Sequence, residues 1–232
     1  MSQSPPRFVQ YCYPLRTLLA AGLVYLLCST PAAGAEFPVM SKVLASIVKA
    51  HGEYALRRID HWQFIINSGT RLSEHEKLVM VNGFFNEMKF VNDIDHWGKE
   101  DYWATPLQTL ASNGGDCEDF SIAKYFTLLQ MGVPAERMRL TYVKALELNQ
   151  AHMVLTYFET PGSDPLVLDN LKADIEPASQ RSDLLPVYSF NAEGLWLSKS
   201  AGAEQRVGSP KRLSQWNSVT ARINNEQLAA LR

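Results

Sequence analysis

Three side chains in this sequence are of the types that supply a nucleophile, a base and a group to orient the base. Cys117 lies in Asn113-Gly114-Gly115-Asp116-Cys117-Glu118-Asp119-Phe120. His152 lies in Ala151-His152-Met153-Val154-Leu155-Thr156-Tyr157-Phe158, and Asp169 closes Leu166-Val167-Leu168-Asp169. Gly114 and Gly115 offer an unrestricted backbone for a tight turn. Asp116 has the acceptor that an N-cap uses, and the apolar residues of 120–129 recur at helical spacing. Cys117 is therefore expected on the first turn of a helix, where the dipole favours thiolate over thiol. In that chemistry the thiolate attacks, an imidazole takes and returns the proton, and a carboxylate fixes the imidazole tautomer. Singly, His152 reads as a core histidine and Asp169 as the cap of a turn. Together, a strand hairpin can set His152 beside Asp169, and a helix packed on that sheet can bring Cys117 over the histidine.

The residues flanking the cysteine pose a problem of charge. Asp116, Glu118 and Asp119 put three carboxylates within four positions. Acidic residues complement a helix start, yet negative charge beside a thiol opposes its ionisation. A hard divalent cation would cancel that charge, and carboxylates with loop carbonyls are the ligands calcium prefers. Asp93-Ile94-Asp95 can add ligands, although its spacing is not that of an EF-hand loop.

The elements that must position these groups follow from periodicity. Apolar positions 43, 44, 47 and 48 mark a helix over 42–50. A second helix runs over 53–67, with Tyr54, Leu56, Ile59, Trp62 and Ile66 available for burial. Ser73 with Glu76 three residues on is a capping-box pattern. It opens a long helix to residue 91 with Leu78, Val81, Phe85, Met88 and Val91 along one side. Residues 92–105 read as a loop, and Pro106 starts a short helix through residue 112. Gly132 and Pro134 end the cysteine helix. Beyond Pro134 the period turns to alternation. Strands are expected at 138–142, 151–159 and 166–169, with a hairpin of 187–190 and 195–197 around Glu193-Gly194. Residues 198–210 read as a polar loop, with a short helix after them. Helices first and an antiparallel sheet second make an α+β domain over 36–232.

The first 35 residues are a different material. Arg7 and Arg16 are their only charged groups, residues 17–28 form an apolar block, and Ala33-Gly34-Ala35 precedes Glu36. That is the pattern of a cleaved secretory signal; as an uncleaved anchor the block is short for a bilayer span. Cleavage removes Cys12 and Cys28 and leaves Cys117 as a lone thiol. In an oxidising compartment a structural cysteine has a partner, so a lone one is either inert and buried or kept for its reactivity. Of the 232 residues, 46% are hydrophobic and 20% charged, with a formal charge of −2. That balance excludes the basic footprint of a nucleic-acid binder.

The segments Asp101-Tyr102-Trp103-Ala104-Thr105-Pro106, Gly115-Asp116-Cys117-Glu118-Asp119-Phe120 and Ala123-Lys124-Tyr125 resemble those of the bacterial transglutaminase-like cysteine proteinases. Ala151-His152-Met153-Val154 and Leu168-Asp169-Asn170 match the histidine and aspartate motifs of that family. The resemblance spans about residues 40–200 and is strongest to the periplasmic proteases of biofilm adhesins. It implies a transglutaminase-like, papain-like core with N-terminal helices packed on the sheet. It implies Cys117 as nucleophile, His152 as general base and acid, and Asp169 as its orienter. It also implies calcium held at Asp116, Glu118 and Asp119. The implied substrate is the N-terminal region of a large adhesin, cut at a small-residue site such as paired alanines. The implied partner is an inner-membrane cyclic-di-GMP receptor acting through its periplasmic domain. A secreted transglutaminase or amidase would use the same triad, with an amine replacing water as acceptor. A binding module with a relict triad is a third reading, against which the intact Cys, His and Asp argue.

Overall fold

The computed structural model describes residues 38–198 and 204–230; the signal segment expected at 1–35, with Cys12 and Cys28, lies outside them. The chain begins with helices α1 (Pro38–His51) and α2 (Glu53–Gly69), parted by Gly52 at φ +78°. On α2, Ala55, Ile59, Ile65 and Ile66 are buried, whereas Tyr54 is 74% exposed, against the expectation for that residue. Helix α3 (Glu74–Asn86) opens on the capping box, with Ser73 Oγ accepting from Glu76 N–H and the Glu76 carboxylate accepting from Ser73 N–H. It stops five residues short of the sequence expectation, because Lys89–Phe90 becomes a short strand, β1. The apolar stripe continues into Met88, which is buried without being helical.

The expected loop after it contains one more short helix, α4 (Asp93–Trp97), closed by Gly98 in the left-handed region at φ 65°. Helix α5 (Pro106–Ser112) has proline in its first turn and a capping box from Thr105 and Gln108. Asn113 ends it at φ 62°. Gly114–Gly115 then forms strand β2, parallel to β1. Helix α6 (Cys117–Gln130) follows at once and ends before Gly132 at φ 84°.

The second half supplies strands β3 (Met138–Ala145), β4 (Gln150–Tyr157), β5 (Leu166–Leu168) and β6 (Glu176–Pro177). Strands β7 (Leu184–Phe190), β8 (Leu195–Ser198) and β9 (Glu204–Gly208) complete a sheet of seven among the described residues. The order is β6-β5-β4-β3-β7-β8-β9, and every neighbouring pair is antiparallel. The architecture is α+β, as the order of periods requires. Strand β9 falls where the sequence reads as a polar loop; all of its residues are half-buried or exposed, so it carries no core signal.

Alternation divides the sheet into two faces. Met138, Leu140, Met153, Leu155, Tyr157 and Leu168 join the main core with Phe120, Tyr125 and Leu128 of α6. Val143, Val154 and Val167 form a second, smaller cluster, beside a cavity of about 740 Å³. The last helix, α7 (Ser214–Ala230), is long rather than short. Its Trp216, Val219 and Ile223 are buried in the main core at helical spacing.

Candidate active site

Helix α6 points its N-terminus at the middle of the sheet. Ser121 Oγ donates to Met153 O at 3.0 Å, which ties its first turns to β4. The main chain of Met153, the residue after His152, also bonds the Cys117 thiol. Cys117 is half-buried and is the free cysteine of the described residues.

The two glycines before it serve proximity rather than a turn. Neither has a positive φ; the left-handed residue at this corner is Asn113. A Cβ on Gly114 would stand 2.8 Å from Lys89 O, and one on Gly115 would stand 2.4 Å from Asp119 Oδ2. Contacts that close are not made by real Cβ atoms, so the β1–β2 pairing and the folding-back of Asp119 both require glycine.

On β4, His152 is 2% exposed, and its Nε2 lies 2.8 Å from Oδ1 of the fully buried Asp169. Strand β5 delivers that carboxylate, which also accepts the Leu171 N–H at 2.9 Å and Arg181 Nη2 at 2.6 Å. Burial alone would push Asp169 up, but hydrogen bonds from His152, Leu171 and Arg181 hold it well below the usual carboxylate range. The structure thus brings His152 and Asp169 together as a hydrogen-bonded pair whose second ring nitrogen, Nδ1, is free of Asp169.

The thiol donates to Glu118 Oε2 at 2.8 Å rather than to His152. Burial first, then the charges of Glu118 and Asp116, push the Cys117 thiol well above its ordinary value, while the Met153 main chain pulls the other way. The helix dipole invoked from the sequence is outweighed here: desolvation and two carboxylates favour the protonated sulfur.

The acidic residues are arranged differently from the expectation. Asp116 occupies the N-cap position, but its side chain caps nothing. It turns instead toward Asp93 and Asp119, and one ligand atom from each of the three lies within 4.8 Å of the others. Glu118 is not in that group, and its Oε2 accepts from the thiol. Asp93, read from the sequence only as an additional ligand, belongs to it, brought by α4. The second oxygens of two members are fixed by the 102–104 segment: Tyr102 N–H donates to Asp93 Oδ2 and Ala104 N–H donates to Asp119 Oδ1. That leaves Asp93 Oδ1, Asp116 Oδ1 and Asp119 Oδ2 buried without a hydrogen-bond partner.

Three converging, unpartnered carboxylate oxygens are unfavourable unless protons or a cation neutralise them. Accordingly, burial followed by the charges of Glu118, Asp119 and Asp93 raises Asp116 to about 9. Burial, then Asp93 and Glu118, raises Asp119 to about 8 against the pull of Ala104 N–H. The donor set is all oxygen, which suits a hard divalent cation.

Arg181 is the functional candidate that sequence reading missed. It lies twelve residues beyond Asp169 in a stretch with no motif, and only the fold places its guanidinium on that carboxylate.

Residues 63–204 match the family described as bacterial transglutaminase-like cysteine proteinase, BTLCP. Among solved structures the chain is similar to Legionella pneumophila LapG, with 43% identity and a TM-score of 0.66 over 77% of this chain and 96% of that one. The EGTA-treated form of the same protein matches to the same extent. Its calcium-bound form matches at 41% identity and a TM-score of 0.67, over 78% of this chain and 98% of that one. No curated protein matches. A helix-borne cysteine, a strand-borne histidine on its aspartate, a shared fold and this level of identity converge on one conclusion: the chain is a cysteine protease and belongs to the bacterial transglutaminase-like cysteine proteinases.

Proposed function

We propose that this protein is a calcium-dependent endopeptidase of the periplasm that cuts the N-terminal region of a large surface adhesin and so releases it from the cell. The observation that carries the calcium dependence is the trio of buried, unpartnered carboxylate oxygens on Asp93, Asp116 and Asp119, next to the nucleophile. A calcium ion bound there would supply positive charge beside Cys117 and rigidity to the 102–104 segment, with Glu118 nearby but engaged by the thiol. The solved relative with calcium bound supports the choice of ion.

The residues of this chain account for acyl transfer. His152, with its Nε2 proton held by Asp169, presents Nδ1 as the base that removes the Cys117 proton. The sulfur attacks the scissile carbonyl and forms a thioester as the amine leaves with the proton from His152. His152 then activates water, and the thioester is hydrolysed. The Cys117 backbone N–H, at the start of α6, is suited to hold the oxyanion.

The adhesin substrate, the periplasmic location and control by an inner-membrane cyclic-di-GMP receptor rest on the family resemblance. The test is a digest of an adhesin N-terminal fragment in calcium and in EGTA, with product masses measured. Cleavage near paired alanines in calcium, none in EGTA, and none by Cys117→Ala in either condition is the expected result. Addition of the receptor's periplasmic domain should suppress the cut. Incorporation of an added amine without new termini would replace the protease reading by the amidase or transglutaminase one.

A further inference from the structure

The backbone and the carboxylate of Asp169 are held by different groups. Asn86 Nδ2 on α3 donates to Asp169 O at 2.8 Å, and Asn82 Nδ2 donates to Ala173 O at 3.0 Å. Asn82 is itself aligned by the buried Lys124, whose Nζ donates to its Oδ1 at 2.7 Å. These bonds fix the loop after β5 but not the rotation of the aspartate side chain. The terminal torsion of aspartate is broad and has no sharp rotamer of its own. Hydrogen bonds must therefore set which way the carboxylate plane faces.

Leu171 N–H reaches Oδ1, the oxygen that already faces His152. Arg181 Nη2 takes Oδ2 at 2.6 Å, with side chains 1% and 0% exposed. The arginine is held along its Nε–Nη2 edge, because Nε and Nη2 donate to Asp183 at 3.0 and 2.9 Å, Nη2 being shared between the two carboxylates. That fork contact sets the plane of the guanidinium. Asp183 is 18% exposed, so the arrangement runs from a partly exposed carboxylate to the buried base: Asp183, Arg181, Asp169, His152.

We infer that Arg181 is a positioning residue for the protease reaction: by holding Asp169 Oδ2 it turns Oδ1 to His152 Nε2, so the imidazole keeps its proton there and offers Nδ1 to the Cys117 thiol. The inference rests on the roles given above to Cys117, His152 and Asp169. A fork is required as well as a charge, since one donor must hold Asp169 while the same rigid group is aligned by Asp183.

The test compares the full chain with Arg181→Met, Arg181→Lys and Asp183→Asn, all loaded with calcium. Nitrogen-15 shifts of the His152 ring report which nitrogen is protonated, and cleavage of a fluorogenic peptide with paired alanines gives kcat and KM. Wild type should show a single Nε2–H tautomer. Arg181→Met should show mixed tautomers, with kcat lower on the order of 10- to 100-fold, part of the full contribution of a positioned base, and KM unchanged. Arg181→Lys should fall between the two. Asp183→Asn, altered at the partly exposed end, should show the same mixing in milder form and gives the answer together with Arg181→Lys if Arg181→Met does not fold. A folded Arg181→Met with wild-type kcat and one tautomer overturns the inference, as does wild-type behaviour of both other variants. A wild type that leaves the peptide uncut would count against the protease reading, while the ring shifts still decide the role of Arg181.

Discussion

Two neighbouring residues, Cys117 and Glu118, hold opposing interests. The sulfur needs to lose its proton, and Glu118 accepts a hydrogen bond from the protonated thiol at 2.8 Å. The carboxylate trio consists of Asp93, Asp116 and Asp119, whereas the sequence pointed to Glu118 beside Asp116 and Asp119. The two ligand sets make different predictions. Asp93→Asn should weaken calcium binding by at least about tenfold, the loss of one charged ligand from a buried site. Glu118→Gln should leave the affinity near wild type. Titration calorimetry with calcium chloride on the two variants distinguishes them, and equal losses would restore Glu118 to the site.

At the scale of elements, the corner from α5 into α6 is built on lack of side-chain volume. Asn113 makes the left-handed turn, and the two glycines let β2 lie against β1 and Asp119 fold back under the chain. Gly115→Ala would force its Cβ to within 2.4 Å of Asp119 Oδ2 and 2.6 Å of Asp119 Cβ unless something shifts. The expected result is a folded protein with calcium affinity reduced by about tenfold or more, because a ligand is displaced rather than deleted. Calorimetry on Gly115→Ala, with circular dichroism as the folding control, checks it. The Ser73 capping box, the proline start of α5 and the stop at Gly132 were legible in the sequence, because each is a local exchange of hydrogen bonds or a single backbone angle. The end of α3 was not, because its apolar stripe continues through Met88 while the backbone leaves the helix to pair with β2.

Across the whole molecule, α7 links the C-terminal end to the site. Arg222 donates to Tyr102 Oη and Gln108 Oε1 at 2.7 Å and to Trp103 O, clamping the segment whose N–H groups align Asp93 and Asp119. Trp216, 4% exposed, stacks on Phe126 at 5.7 Å and meets Phe190 edge-on at 5.4 Å. Trp216→Ala should cost roughly 3–5 kcal/mol, read by chemical denaturation, as for other large aromatic residues removed from a core. The carboxylate trio also makes stability depend on pH and ion together. In the ion-free folded state Asp116 and Asp119 keep protons up to about 9 and about 8, whereas the unfolded chain releases them near an ordinary aspartate value. Raised carboxyl groups stabilise the fold relatively at low pH, and that contribution is lost as pH climbs through the folded values. A cation takes over from those protons, so its stabilisation grows over the same window. The rise in Tm on adding calcium should therefore be larger near pH 8.5 than near pH 5.5, by about the proton linkage of two carboxyls. An equal rise at both would place the ion elsewhere.

What the sequence determined by itself is what short-range physics encodes. The α+β order of the chain, the helix start at Cys117, the strand bearing His152 and the apolar run ending in Asp169 are all readable from period, caps and turns within a few residues. What the tertiary structure decided is which distant groups share a low-dielectric space. Asp93 joins Asp116 and Asp119 across more than twenty positions, Arg181 reaches Asp169 from a segment without a motif, and α7 clamps a loop more than a hundred residues earlier. Such pairings leave no local period, because their energy comes from burying charges against one another, and the chain must first close its core before those charges meet.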